Sequence, residues 1–83
     1  MKIRVNHTIS NPQEFWGRAQ KALPNLPEGI KVHAVMPNET MDVATCVWEA
    51  ADLATITNFL EAATGDVSKN DYMVINEANA MGV

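Results

Sequence analysis

The fold is decided by the stretch KIRVNHTISNPQEF, residues 2–15, in which a strand pattern gives way to the start of a helix. In residues 2–9 the side chains of Ile3, Val5 and His7 alternate with polar neighbours. A period of two residues is typical of a strand whose two faces differ, because successive side chains point to opposite sides of a sheet. The stretch therefore opens with a predicted strand.

The second half of the same stretch carries the signals of a helix N-terminus. Asn11 offers a capping side chain, Pro12 suits the first helical position, and the charge of Glu14 suits the helix dipole. Apolar residues then recur at helical spacing until Pro24, which ends the pattern. We therefore predict a helix over residues 12–23.

The rest of the chain predicts three more strands and one more helix. A turn at residues 37–40 joins two strands into an antiparallel hairpin. The second helix is capped by Asp52 and stops at Gly65, and a polar loop at residues 66–70 follows it. The predicted strands cover residues 30–36, 43–48 and 71–77.

This order of elements defines the fold class. A βαββαβ chain with right-handed crossovers forms an α+β, ferredoxin-like two-layer sandwich, with two helices on one face of a four-stranded antiparallel sheet of order 4-1-3-2. The 83 residues suffice for one domain, residues 1–83. We read the third and fourth strands as apolar on both faces, so the open face of the sheet needs a cover. The simplest cover is the same face of a second copy, which predicts a homodimer.

Composition limits the classes of partner. A net charge of −4 and a pI near 4.9 disfavour nucleic acid and anionic membrane surfaces as partners, which leaves small organic molecules and proteins. No apolar run is long enough to span a bilayer, and the polar first ten residues lack the apolar middle of a signal peptide. We therefore expect a cytoplasmic protein.

Three segments carry a resemblance to a known group. Residues 1–9, 27–32 and 46–50 resemble short, uncharacterised bacterial proteins assigned to the dimeric α/β-barrel superfamily. That superfamily includes cofactor-independent monooxygenases, muconolactone-type isomerases, haem enzymes and ligand-sensing domains. The resemblance implies a dimeric α/β barrel, and the fold does not choose among these activities.

Two residues are candidates for acid–base chemistry. His7 has an unperturbed pKa near neutrality, and Glu49 could act as a base if a dimer cavity raised its pKa. The alternatives are that His7 packs at the edge of the core and that Glu49 forms an ion pair with the cations of residues 2–4. The candidates for lining a cavity are Asn6, His33, Trp48 and Tyr72. On the second strand, His33 is predicted to share its face with Lys31 and Val35.

The chain has no glycine-rich phosphate loop, no HExxH zinc motif and no CxxC pair, so we predict neither a cofactor nor a metal. Three functions stay open. The first is a cofactor-independent isomerase or monooxygenase-like enzyme for a small, partly apolar organic molecule, with His7 as proton shuttle. The second is a non-catalytic module that binds or senses a small ligand, and the third is a purely structural dimer.

Overall fold

A computed structural model describes residues 1–83 and confirms the predicted fold class. Its strands are β1 (Lys2–Ile9), β2 (Lys31–Pro37), β3 (Val43–Glu49) and β4 (Ser68–Val74), and its helices are α1 (Pro12–Ala22) and α2 (Leu53–Thr64). The order is βαββαβ, and a short 3₁₀ turn at Leu23–Asn25 follows α1. Neither helix has the length and apolar character needed to cross a membrane.

Both helices begin where the predicted caps lie. The side chain of Asn11 accepts a hydrogen bond from the backbone N–H of Glu14 at 3.1 Å, and Asp52 accepts one from the backbone N–H of Thr55 at 2.9 Å. Each bond satisfies a backbone donor that has no partner inside the helix. The helix starts therefore follow from local sequence.

The four strands form one antiparallel sheet in the order β2-β3-β1-β4, which is the predicted order read from the opposite edge. Central β1 sends its apolar side chains toward the helices, where Ile3 and Val5 meet Ile56 and Leu60 of α2 in the main core cluster. Phe15 of α1 belongs to a second, smaller cluster. Both helices thus cover one face of the sheet and leave the other face open.

The predicted position of the last strand, residues 71–77, is wrong at both ends, since β4 begins at Ser68 and ends at Val74. Ser68 and Asn70 look like loop residues, yet they pair with Ile9 and His7 of β1 and face the helices. Their polar groups are satisfied there, because the Ser68 hydroxyl donates to the Thr64 carbonyl oxygen at 3.1 Å.

The shifted β4 also changes the open face of the sheet. Residues that pair across adjacent strands share a face, so Lys69, Asp71 and Met73 lie on the open side. The reading of the fourth strand as apolar on both faces is therefore wrong. Strand β3 keeps Val43 and Val47 on that side.

A β-bulge between Val32 and Ala34 interrupts the alternation of β2. Beyond the bulge, Val35 pairs with Cys46 and faces the helices, whereas Ala34 pairs with Val47 on the open face. The prediction that Val35 shares a face with His33 is wrong for this reason.

Candidate functional site

The six candidate residues lie on two sides of the sheet. His7 and Trp48 face the helices, and Tyr72 pairs with inward-facing Val5 on the same side. Asn6 lies on the open face, where its side-chain oxygen accepts a hydrogen bond from the Thr45 hydroxyl at 2.9 Å.

Glu49 and His33 form a separate pair on the open face. His33 Nε2 lies 2.7 Å from Glu49 Oε1, and this hydrogen bond holds the pKa of Glu49 below its ordinary value. Lys2 is the β1 residue opposite Glu49, as the sequence predicts, but the side chain that contacts Glu49 is that of His33. The structure therefore places a charged carboxylate here, on the opposite face from His7.

A largely apolar cavity lies between the sheet and the helices. Its volume is about 360 Å³, within the usual range for small-molecule sites. The sheet forms its floor, and α1 and α2 form its walls. Its lining includes His7, Phe15, Val35, Cys46, Trp48 and Phe59.

His7 is one of the two buried polar side chains that line this cavity, the other being Thr64. Its Nδ1 lies 2.6 Å from the Asn70 side-chain oxygen, and its ring packs against Phe15 with centroids 5.2 Å apart. The Asn70 amide nitrogen donates to Glu61 at 2.6 Å, and the Tyr72 hydroxyl donates to the same carboxylate oxygen at 2.6 Å. These bonds, first that from Tyr72 and then that from Asn70, keep the pKa of Glu61 low.

The Glu61 carboxylate fixes the protonation pattern of this network. An ionised carboxylate only accepts hydrogen bonds, so it must face the amide nitrogen of Asn70, and the amide oxygen must face His7. His7 Nδ1 therefore carries the proton. Burial is the largest effect on the ring and lowers the pKa of His7, although Asn70 and Glu61 oppose it. The ring is neutral at pH 7, and its Nε2, which makes no hydrogen bond in the chain, keeps a free lone pair.

Trp48 and Tyr72 occupy different environments. Trp48 lines the cavity with its ring 6.0 Å from that of Phe59, and its buried indole N–H has no hydrogen-bond partner. Tyr72 is bound to Glu61, and burial together with that carboxylate raises the pKa of Tyr72. The structure thus places Trp48 in the cavity wall and Tyr72 in the polar network behind His7.

Apart from His7, the side chains of the cavity offer little reactive chemistry. Burial raises the pKa of the Cys46 thiol to about 11, so the thiol is protonated at neutral pH. No three His, Cys, Asp or Glu side chains of residues 1–83 lie close enough together to hold a metal ion.

Sequence reasoning missed Asn70 and Glu61, the residues that orient His7. The contribution of Asn70 could have been inferred from the alternation of side chains along the fourth strand. A strand extended back to Ser68 would place Ser68, Asn70 and Tyr72 on the inward face, which is also the face of His7. Three polar side chains on a buried face are unusual and indicate a hydrogen-bond network. The contribution of Glu61 depends on how α2 packs against β4 and has no local signature.

Comparisons with known proteins found no match among family models, curated proteins or solved structures. Function must therefore be inferred from the cavity and its residues.

The lowered pKa of His7 predicts a pH-dependent stability. The unfolded chain binds a proton at His7 near pH 6.5 and the folded chain binds it only at lower pH, so the free energy of unfolding should fall as pH decreases below 6.5. The slope should not exceed about 1.4 kcal/mol per pH unit. Urea unfolding between about pH 5.5 and 7.5 measures it, in a range where ordinary carboxylates stay ionised. His7→Gln should flatten the profile and His33→Gln should retain it; equal slopes in wild type and His7→Gln would refute the assignment.

Proposed function

We propose that this protein is a cofactor-independent enzyme that isomerises a small, partly apolar organic molecule in the cavity between sheet and helices, with His7 as its proton shuttle. The observation that carries the proposal is a buried, neutral imidazole of fixed tautomer in the lining of an apolar cavity. The free Nε2 takes a proton from a carbon next to a carbonyl group and returns it to another carbon of the same molecule. No net oxidation occurs, so the reaction needs no redox partner.

The residues around His7 and along the cavity have separate roles in this proposal. Asn70 positions the ring, and Phe15 packs against it. Trp48 and Phe59 form the apolar wall on which the substrate packs. Glu49 and its partner on the open face have no part in this chemistry.

The test measures how fast the protein moves a proton from one carbon of a simple probe molecule to another. The β,γ-unsaturated ketone 3-cyclohexen-1-one becomes the conjugated isomer when a base moves one proton, and absorbance follows the product. Replacing a shuttle by a group that cannot accept a proton should reduce the rate by about 10² or more, so His7→Gln should lose the activity. His33→Gln, on the open face, serves as the matched control and should keep it. Equal rates for the two variants would contradict the role of His7.

A second candidate, a non-catalytic binding module, is favoured by one observation. No carboxylate lines the cavity, and the Cys46 thiol there is protonated, so His7 is its one group suited to proton transfer near neutral pH. Such a module would retain a ligand through purification and gain melting temperature with it, without forming product. Native mass spectrometry combined with the probe assay separates the two candidates.

We also propose that a second copy covers the open face, as in a dimeric α/β barrel. Met36 and Met73 are exposed there beside Val43 and Val47. The same face holds four of the six Lys and Arg residues against two carboxylates, so pairing two such faces brings like charges together. The face carries Lys2, Arg4, Lys31, Lys69, Glu49 and Asp71.

The charges predict an unusual salt response of this dimer. Added salt screens like charges, so association should strengthen between ionic strengths on the order of 0.01 M and 1 M. Met73→Lys should weaken the dimer, whereas Met81→Lys, at a tail position that is 94% exposed, should not. Sedimentation measures both effects. A lone 9.1 kDa species at every ionic strength would contradict dimerisation.

A further inference from the structure

A ligand in the cavity can reach one unpaired nitrogen, the Nε2 of His7. Two side-chain nitrogens of the chain are fully enclosed without a hydrogen-bond partner, and they belong to Arg4 and Trp48. His7 Nε2 also has no partner in the chain, but it is not one of these enclosed atoms, so it keeps accessible surface. Since His7 lines the cavity, that surface is open to a ligand, whereas the indole N–H of Trp48 is not.

The other polar side chains of the lining have partners within the chain or bind weakly. The indole N–H of Trp16 donates to a backbone carbonyl oxygen at 2.8 Å. The Thr64 hydroxyl, which is 6% exposed, donates to the backbone carbonyl oxygen four residues earlier at 3.2 Å. Burial raises the pKa of the Cys46 thiol to about 11, and a protonated thiol is only a weak hydrogen-bonding group. His7 Nε2 is therefore the polar atom that a ligand can bind.

The lining provides no partner for a charge inside the cavity. It contains no carboxylate, so a cationic ligand would stay unpaired. The Arg18 guanidinium already binds Glu14 at 3.0 Å and Asp66 at 2.6 Å, and these carboxylates offset its charge. Lys21 is exposed, so its ammonium stays in water. Because burying an unpaired charge is costly, the cavity favours an uncharged ligand.

The tautomer of His7 determines which polar group the ligand needs. The Asn70 oxygen accepts the Nδ1 proton, so Nε2 presents a lone pair to the cavity. A lone pair binds a hydrogen-bond donor and cannot bind a carbonyl or ether oxygen, which only accepts. A hydroxyl group is the simplest uncharged donor. The aromatic rings of Phe15, Trp48 and Phe59 provide an apolar surface for the rest of the molecule.

We propose that the cavity binds an uncharged hydroxyl compound with an apolar body, whose O–H group donates a hydrogen bond to His7 Nε2. Alcohols, phenols and enols share this chemistry. The inference rests on the proposed function in requiring that the cavity bind a small molecule at His7. The enol form of a ketone substrate meets the same requirement, because it is uncharged and carries one O–H group.

The test compares three probes that share a 4-ethylphenyl body. Of these, 4-ethylphenol donates a hydrogen bond, 4-ethylanisole only accepts one, and 4-ethylbenzoate is charged. Calorimetry at pH 7, where a phenol keeps its proton, measures the three affinities. Wild type should bind the phenol about threefold to tenfold more tightly than the anisole, as expected for one buried hydrogen bond. The benzoate should bind at least about tenfold more weakly than the phenol, because its charge finds no partner.

His7→Phe keeps an aromatic ring and removes the acceptor, so the phenol should lose its advantage over the anisole. His33→Phe, the same substitution on the open face, is the matched control and should keep the preference. If His7→Phe does not fold, NMR of the wild-type imidazole decides. The phenol should shift the resonance of His7 Nε2, and the anisole should leave it in place.

Three results would overturn the hydroxyl group and leave the proposed function standing. They are an anisole that binds as tightly as the phenol, an unchanged preference in His7→Phe, and a His7 Nε2 resonance that the bound phenol does not shift. A benzoate that binds as tightly as the phenol would overturn the uncharged ligand. Failure of all three probes to bind wild type would overturn this inference and the binding cavity of the proposed function together.

Discussion

Ile56→Ala is expected to lower the free energy of unfolding by about 3 to 5 kcal/mol. Ile56 is 0% exposed and stands in the main core cluster with Ile3, Val5 and Leu60. Truncation removes buried apolar surface and leaves a hole that close-packed neighbours fill only in part. This loss is a large fraction of the total, because an 83-residue chain has a free energy of unfolding of only about 4 to 12 kcal/mol.

Leu53→Ala in the first turn of the same helix is the matched control. Leu53 is 38% exposed, so its truncation should cost below about 1.5 kcal/mol. Urea unfolding at constant pH measures both variants. Similar losses at the two positions would show that α2 does not pack as described.

Asn70→Ala is expected to lower the free energy of unfolding by about 1 to 3 kcal/mol. The Asn70 amide joins His7 to Glu61, and its oxygen lies 2.7 Å from the Ser68 hydroxyl oxygen. Its removal leaves the His7 Nδ1–H buried without a partner and frees the ring to change tautomer. Asn25→Ala, which removes an exposed amide bound to the Lys21 carbonyl oxygen, should cost far less.

Asn70→Asp separates the electrostatic effect from the loss of an acceptor. It keeps an oxygen for His7 but adds a negative charge beside the ring, so the pKa of His7 should rise. Asn70→Ala should lower the pKa of His7 further, because the Asn70 hydrogen bond raises it. NMR titration of the His7 ring protons measures both shifts. Shifts of the same sign would contradict the proposed network.

Local sequence sufficed to predict the elements whose signals lie within a few residues. The alternation of β1 and the caps at Asn11 and Asp52 operate over one or two turns of chain, and each is confirmed. The strand order then followed from the handedness of the connections, which leaves few ways to arrange four strands and two helices.

The features that the sequence did not reveal depend on contacts between distant parts of the chain. Ser68 and Asn70 are typical loop residues until α2 supplies Thr64 and Glu61 as partners. The bulge in β2 has no glycine or proline to mark it, so strict alternation assigned Val35 to the wrong face.

The candidate site was predictable only in part for the same reason. His7 was identified from its residue type and its place on β1, and the structure places it in the lining of a cavity. Glu49 directly follows the predicted third strand, but this position gives no information about which face of the sheet its side chain shares. The face is decided by whether a residue pairs with an inward-facing or an outward-facing residue of β1. Glu49 pairs with Lys2, so it lies on the opposite side of the sheet from His7.

The two edge strands of the sheet determine whether copies of this chain can pair edge to edge at high protein concentration. An exposed strand edge can pair with another chain and start aggregation, and bulges, lysines and prolines oppose such growth. Edge strand β2 has a bulge after Val32, begins at Lys31 and ends at Pro37, while the opposite edge, β4, carries Lys69 and Asp71. Both edge strands therefore oppose aggregation by edge-to-edge strand pairing.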